Sequence, residues 1–307
     1  METITETSLQ RTNAIKRLTS IANHDDRFKL FNDATVPAGD LDNPIHPIFH
    51  HEHFLGRTPH IKQALQLASL YLTIPSLLKF YVPLTFGVKH KEQVGTTNIK
   101  HHIYIQEKSR NREKELMIVQ AAFNCLAHCH TWEWFDFSNG QIKNCWVDEQ
   151  MLAYYQDEES GYKSRPRCEQ FRHDFQMALV LGHEIAHAYG AMLRGNLKEP
   201  YLHPSHPEPE LGYAWENFMF GGKLNPPDKT KHGSYAHLHM VWQSKQVSKQ
   251  NWGFEYSAVP VAWTAQWFRK ETWAKVKKEG HLAILPPDPI LKIYYSTEMQ
   301  RHIVYTD

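Results

Sequence analysis

The chain has little cysteine, almost no net charge and no long apolar run, and each shortage excludes something. Four cysteines in 307 residues, Cys125, Cys129, Cys145 and Cys168, are too few and too bunched for a disulfide scaffold. Lysine and arginine total 34 against 33 acids, a formal net charge of +1. That balance gives no reason to expect nucleic acid or an anionic membrane as a partner. The longest uncharged apolar stretch, Ala64 to Leu78, is broken by Pro75 and falls short of the ~18 residues a membrane span requires. The opening METITETSLQRTNAIKRLTS has early acids and no apolar h-region, so it does not read as a secretory signal. A cytoplasmic protein in a reducing compartment is expected.

What the chain does have is apolar content sufficient for a sizeable core, 41% of residues, and 21 histidines, which makes any metal site here sensitive to pH. Residues 1–58 read as an N-terminal extension and loop, closing on His46, His50, His51 and His53, a surface cluster with no framework to organise it. Residues 59–307 read as a single domain. Pro59 to Phe80 has a helical pattern with a break at Pro75; Tyr81 to Gly95 is turn-rich; His101 to Gln106 alternates like a strand. Arg112 to His128 is a second helix, ending in Cys125, His128, Cys129 and His130, which read as core cysteines near a helix end and not as half of a zinc finger. Trp134 to Phe137 and Gln141 to Val147 flank Asn139-Gly140 as a hairpin, whose edge could take an extended substrate. Downstream, Ser234 to Trp242 alternates, and Ala258 to Val276 has the aromatic stripe of a core-packed helix.

The organising stretch is Cys168 to Gly195. Phe171, Phe175, Ala178, Gly182, Ile185, Tyr189 and Leu193 recur at helical spacing, with Arg165-Pro166 as start signal and Gly195 as stop. This helix carries His183-Glu184-Ile185-Ala186-His187. Residues four apart share a helix face, so His183 and His187 can reach one cation. Glu184 is turned about 100° from His183 and can approach a water held by that cation. A histidine-rich chain can produce H-E-x-x-H by chance, but here the residues interrupt a buried apolar run, where they are costly without partners. One zinc ion is the expected cofactor, with His183 and His187 as ligands and Glu184 as general base.

Catalytic zinc takes a third protein ligand and keeps an open position. The extended H-E-x-x-H-x-x-G-x-x-H/D arrangement fails, because Gly190 fits its glycine but Leu193 cannot bind metal. The other common arrangement takes a glutamate from a second helix, here Glu210 to Gly222, ELGYAWENFMFGG. With His183-Glu184-Ile185-Ala186-His187 and Glu210-Leu211-Gly212-Tyr213-Ala214-Trp215-Glu216, the chain resembles the zincin metallopeptidases, within them the thermolysin-like gluzincins. The resemblance covers about residues 110–245. It implies an α+β fold, a mostly helical zincin-like domain with a small mixed sheet beside the active-site helix. By the match of Gly212 four residues before it, it implies Glu216 as third ligand. Glu210, at the helix mouth, would sooner cap the N-terminus. The acid expected four residues after the ligand is Phe220, so a carboxylate orienting a histidine must come from elsewhere, Glu210 or Asp174.

The activity implied is hydrolysis of a peptide or small-molecule amide. Zinc would lower the pKa of its water to about 7, and Glu184 would take the proton and pass it to the leaving amine. Tyr235, His237 and His239 are the candidate oxyanion donors. Two other readings compete: a metal enzyme acting on a small molecule or one modified peptide, and a catalytically silent scaffold that binds a partner.

Overall fold

The computed structural model describes residues 25, 27–93, 100–105, 111–129, 132–135, 146–225, 236–243, 253–296, 298–299 and 301–306. Helices dominate the centre and most strands of the larger sheet lie in the C-terminal third, a mixed fold of helices and small sheets. The helices are α1 (Lys62–Thr73), α2 (Pro75–Leu78), α3 (Val82–Phe86), α4 (Arg112–Cys129), α5 (Glu149–Gln156), α6 (Arg167–Arg194), α7 (Leu211–Phe220), α8 (Val261–Gln266) and α9 (Lys270–Glu279). The strands are β1 (Val88–Gln93), β2 (Lys100–Ile105), β3 (Glu133–Phe135), β4 (Trp146–Asp148), β5 (Lys223–Asn225), β6 (Leu238–Met240), β7 (Gly253–Ala258), β8 (Leu291–Ser296) and β9 (Arg301–Thr306).

Helix α6 is the axis of the molecule. Pro166 stands at its N-cap and Gly195 ends it at φ 66°, a left-handed conformation that favours glycine and lets the Gly195 amide donate to Ala191 O. Its start and stop agree with the sequence signals. Phe171, Phe175, Ala178, Leu181, Ile185 and Tyr189 are buried on it, and α1, α7 and α8 pack around it. The chain between Pro59 and Phe86 breaks at Ile74–Pro75 with a 63° bend, because proline lacks the amide that α1 would need to continue. Nearly every residue of α1 is buried in the core. Among the described residues no single helix is long and apolar enough to cross a membrane.

Where helices α6 and α7 cross, small residues permit contact. A Cβ on Gly182 would lie 2.3 Å from the Trp215 indole, and one on Gly212 would lie 2.3 Å from His183 Nε2. Those separations are far inside van der Waals contact, so glycine at each crossing point is what allows the ring on the opposite helix to seat. The close approach brings the start of α7 against the middle of α6, where the histidines are.

Strands β5 to β9 form a five-stranded antiparallel sheet in sequential order. Its face carries a small second core in which Phe28 and Leu30 pack with Ala236, Leu238, Ala258, Leu291 and Ile293. Residues 25–58, though almost without regular structure, supply Ile48, Phe49 and Phe54 to the main core.

Several expectations change. Tyr81 to Gly95, read as turns, holds α3 and β1, and β1 pairs antiparallel with β2. The expected hairpin turn at Asn139-Gly140 lies in 136–145, outside the described residues; the strands on either side, β3 and β4, pair in parallel, which a two-residue turn cannot connect. The helix expected over Ala258 to Val276 is two, α8 and α9, separated at Trp267–Arg269. Its aromatic stripe is core, with Trp267, Phe268 and Trp273 buried. Cys125 and Cys129, expected in the core, are exposed free thiols, since the buried stripe of α4 runs through Val119, Phe123, Leu126 and Ala127 instead. In the histidine cluster, His46 is buried and Ile48 N donates to its ring, whereas His51 is exposed.

Candidate metal centre

His183 and His187 stand on successive turns of α6 with ring centroids 4.9 Å apart, their Nε2 atoms facing each other at 3.1 Å. Glu210 meets both: its Oε1 lies 3.2 Å from His183 Nε2 and 2.9 Å from His187 Nε2. The other oxygen of Glu210 accepts the Tyr213 amide and so caps α7. One carboxylate therefore fixes the helix start with one oxygen and faces the imidazole pair with the other. The expected capping role is present, and the same geometry brings Glu210 to the two histidines.

Glu216 lies elsewhere than the resemblance implied. It is one and a half turns further along α7, behind His183, where its Oε1 meets the Nδ1 of that ring at 2.7 Å and its Oε2 accepts the Leu224 amide at 2.9 Å. On the Nε2 side it is Glu210, not Glu216, that faces both rings. Glu199 does for His187 what Glu216 does for His183. Its Oε1 is 2.5 Å from His187 Nδ1, and its Oε2 accepts the Leu211 amide at 2.7 Å. Both outer carboxylates are thus locked by backbone amides, which fixes the ring orientations in turn. Asp174, the other residue considered for that task, is buried more than two turns upstream and accepts from Tyr155, Tyr162 and Gln63.

Charge follows geometry. Burial alone would lower the pKa of His183, but hydrogen bonds to Glu210 and Glu216 outweigh it and lift the ring to about 10. For His187, burial is likewise overcome by Glu199 and Glu210, and the ring rises to about 9. Burial would raise Glu210, yet the two imidazoles hold it far below the usual carboxylate range. The pocket is an electrostatic trap for positive charge. Glu184, next to His183 and half-buried, is raised above an ordinary glutamate by burial, against the opposing pull of His183 and His187.

His183, His187 and Glu210 form the group among the described residues whose donor atoms could share one metal ion. The triangle they make has sides of 3.1, 3.2 and 2.9 Å. Donors about 2.1 Å from a tetrahedral ion stand about 3.4 Å apart, so a small outward movement of each would admit zinc. The residues fit the ion.

Of the candidate oxyanion donors, His237 and His239 pack elsewhere. His237 Nε2 is 2.9 Å from Gln176 Oε1, and its ring packs on Phe175, about 10 Å along α6 from His183. His239 packs its ring on Gly222 at the far end of α7 from Glu210, where burial lowers its pKa. Both histidines fill the seam between the sheet and the helices, because strand β6 runs past the C-terminal end of α7. Tyr235 lies outside the described residues. The half-buried ring beside the cluster is instead Tyr213, edge-on to His183 at 5.2 Å. Lys223 Nζ sits 3.3 Å above its face and pairs with Glu208 at 3.2 Å. Sequence reasoning missed Tyr213, Lys223 and Glu199. Glu199 lies in an irregular segment, where no periodicity points to it.

No family model matches the chain, and neither the curated proteins nor the solved structures contain a match.

Proposed function

We propose that the chain is a zinc-dependent hydrolase of the zincin type, a metallopeptidase acting on a peptide or amide bond, with His183, His187 and Glu210 holding one zinc ion. The observation that carries the reading is the triangle of two imidazole nitrogens and one carboxylate oxygen, with Glu184 on the adjoining helix position. Two imidazoles and one carboxylate suit zinc better than magnesium or calcium, which prefer oxygen alone. Three protein ligands leave a coordination position open, as catalysis requires and a structural site does not. When bound, the ion supplies Lewis acidity, acidifying water and polarising a carbonyl.

The chain's own residues do the remaining work. Glu199 and Glu216 accept the Nδ1 protons, so the Nε2 lone pairs of both rings face inward. Glu184 takes a proton from the attacking water and returns it to the leaving amine, and its upward-shifted pKa makes it a stronger base than a solvated glutamate. The reading includes a cytoplasmic setting, supported by the free thiols of Cys125, Cys129 and Cys168.

A digest of a peptide library by zinc-loaded protein tests the reading. Wild type should cleave, and Glu184→Gln should bind zinc as tightly but cleave about 10²-fold to 10⁴-fold more slowly. Equal cleavage by both would remove Glu184 from the chemistry. No cleavage by wild type with zinc bound would leave a metal-binding protein and contradict the peptidase reading.

A further inference from the structure

A second site lies at the other end of α6, independent of the metal reading. Between the first turn of α6 and the start of α1 is a cavity of about 430 Å³, roofed by Ala38 and Gly39. Small-molecule pockets run from about 300 to 1,000 Å³, so it is of ligand size. Its floor is built. Gln63 Nε2 and the Tyr162 hydroxyl both donate to buried Asp174 Oδ2, at 2.8 and 2.6 Å. That commitment of the amide nitrogen leaves Gln63 Oε1 directed at Gly39, where a Cβ would stand 2.2 Å from it. His60 stacks on the Tyr162 ring at 5.8 Å and 28°, giving an aromatic wall.

The charge of this cavity has one sign. Lys62 and Arg167 line it, and among the described residues no aspartate or glutamate does. Arg167 donates to Val36 O at 3.4 Å, and among the described residues neither cation has a carboxylate partner. The nearby acids are engaged elsewhere: Asp174 beneath the floor with its three donors, and Asp40 with Arg269 and the Lys270 amide. A fixed acceptor, a stacked aromatic wall and two cations with no carboxylate partner among the described residues call for a ligand with three matching parts.

We propose that this cavity binds a small ring-bearing organic anion. Its carboxylate or phosphate pairs with Lys62 and Arg167, its ring lies against His60 and Tyr162, and an N–H or O–H on the ring donates to Gln63 Oε1. Calorimetric titration of the full chain with four probes tests this: adenosine monophosphate and 4-hydroxybenzoate, which carry ring and charge; adenosine, which lacks the charge; and inorganic phosphate, which lacks the ring. At least one ring-bearing anion should bind saturably with a Kd of about 1 mM or tighter, at least ten-fold tighter than adenosine or phosphate. Lys62→Ala/Arg167→Ala, two exposed positions whose change leaves the core intact, should weaken that binding at least ten-fold. His183→Ala should leave it unchanged. The proposal is overturned if neither ring-bearing anion binds in that range, if the double variant binds as wild type does, or if His183→Ala abolishes binding.

Discussion

Glu210 shows how one side chain can satisfy two demands that sequence reasoning treats as rivals. A glutamate at a helix mouth reads as a cap, and here it is one. Because a carboxylate has two oxygens, capping leaves the second free to face His183 and His187. The spacing of Gly212 and Glu216 pointed to an oxygen that meets the other ring nitrogen: Gly212 is required because the His183 ring lies on it, and that seat turns the Nδ1 of the ring, not its Nε2, towards Glu216. His183, Glu184 and His187 were legible because helical spacing alone places them; the third acid depends on the loop that delivers α7, which has no period to read. Asp174 makes a separate prediction at this scale. Burial pushes its carboxyl up to about 7, against three donors that pull it down. The folded chain therefore holds a proton that the unfolded chain, near pKa ~3.9, has released. Stability from this group is full below about pH 4 and is lost as pH rises through about 7. Urea midpoints measured from pH 4 to 8 should fall across that window, and Asp174→Asn should flatten the fall. An unchanged slope in the variant would assign the pH dependence to other groups.

Among the elements, the crossing of α6 and α7 determines whether the site forms. The bounds of α6 could be read from its apolar period, its proline and its terminal glycine, all local signals. The orientation of α7 could not, because it depends on Gly182 accepting Trp215 and Gly212 accepting His183. Gly212→Ala would place a methyl against the His183 ring and should cost about 1 to 3 kcal/mol of stability. It should also weaken zinc binding, since α7 must retreat and take Glu210 with it. Chemical denaturation together with a zinc titration checks both effects; a variant with wild-type stability and affinity would mean that the crossing has slack. Strands β7, β8 and β9 were not recognised in the sequence. Their alternation is short and mixed, as in β8, where buried and half-exposed residues alternate without a clean polar face.

For the whole molecule, α6 links the main core, the candidate metal centre and the cavity at its opposite end, and α1 and α3 pack against it. Residues up to 58 were expected to be an extension and loop. Those described, 25 and 27–58, are loop in conformation apart from a short 3-10 turn at His51–His53, but Phe54 is fully buried between Phe49 and Trp132. Composition alone cannot distinguish an irregular segment that packs from one that does not. Phe54→Ala should therefore cost about 3 to 5 kcal/mol in denaturant unfolding, whereas a loss below about 1 kcal/mol would restore the picture of a dispensable extension. The coarse mixture of helix and sheet was legible. The parallel pairing of β3 with β4 was not, because the Asn139-Gly140 turn signal is local and the pairing is set by the surrounding chain.

The most direct test is the zinc stoichiometry and affinity of wild type, Glu210→Ser and Glu216→Gln, measured side by side by competition with a chelator. Serine keeps a helix cap at position 210 but cannot reach the ion, and glutamine keeps an acceptor for the Nδ1 proton of His183. Wild type should bind one zinc per chain. Glu210→Ser should lose at least about 10³-fold in affinity, and Glu216→Gln should lose no more than the 10- to 100-fold typical of a residue that only orients a ligand. Tight binding by Glu210→Ser with loss in Glu216→Gln would contradict the assignment and return the third ligand to Glu216.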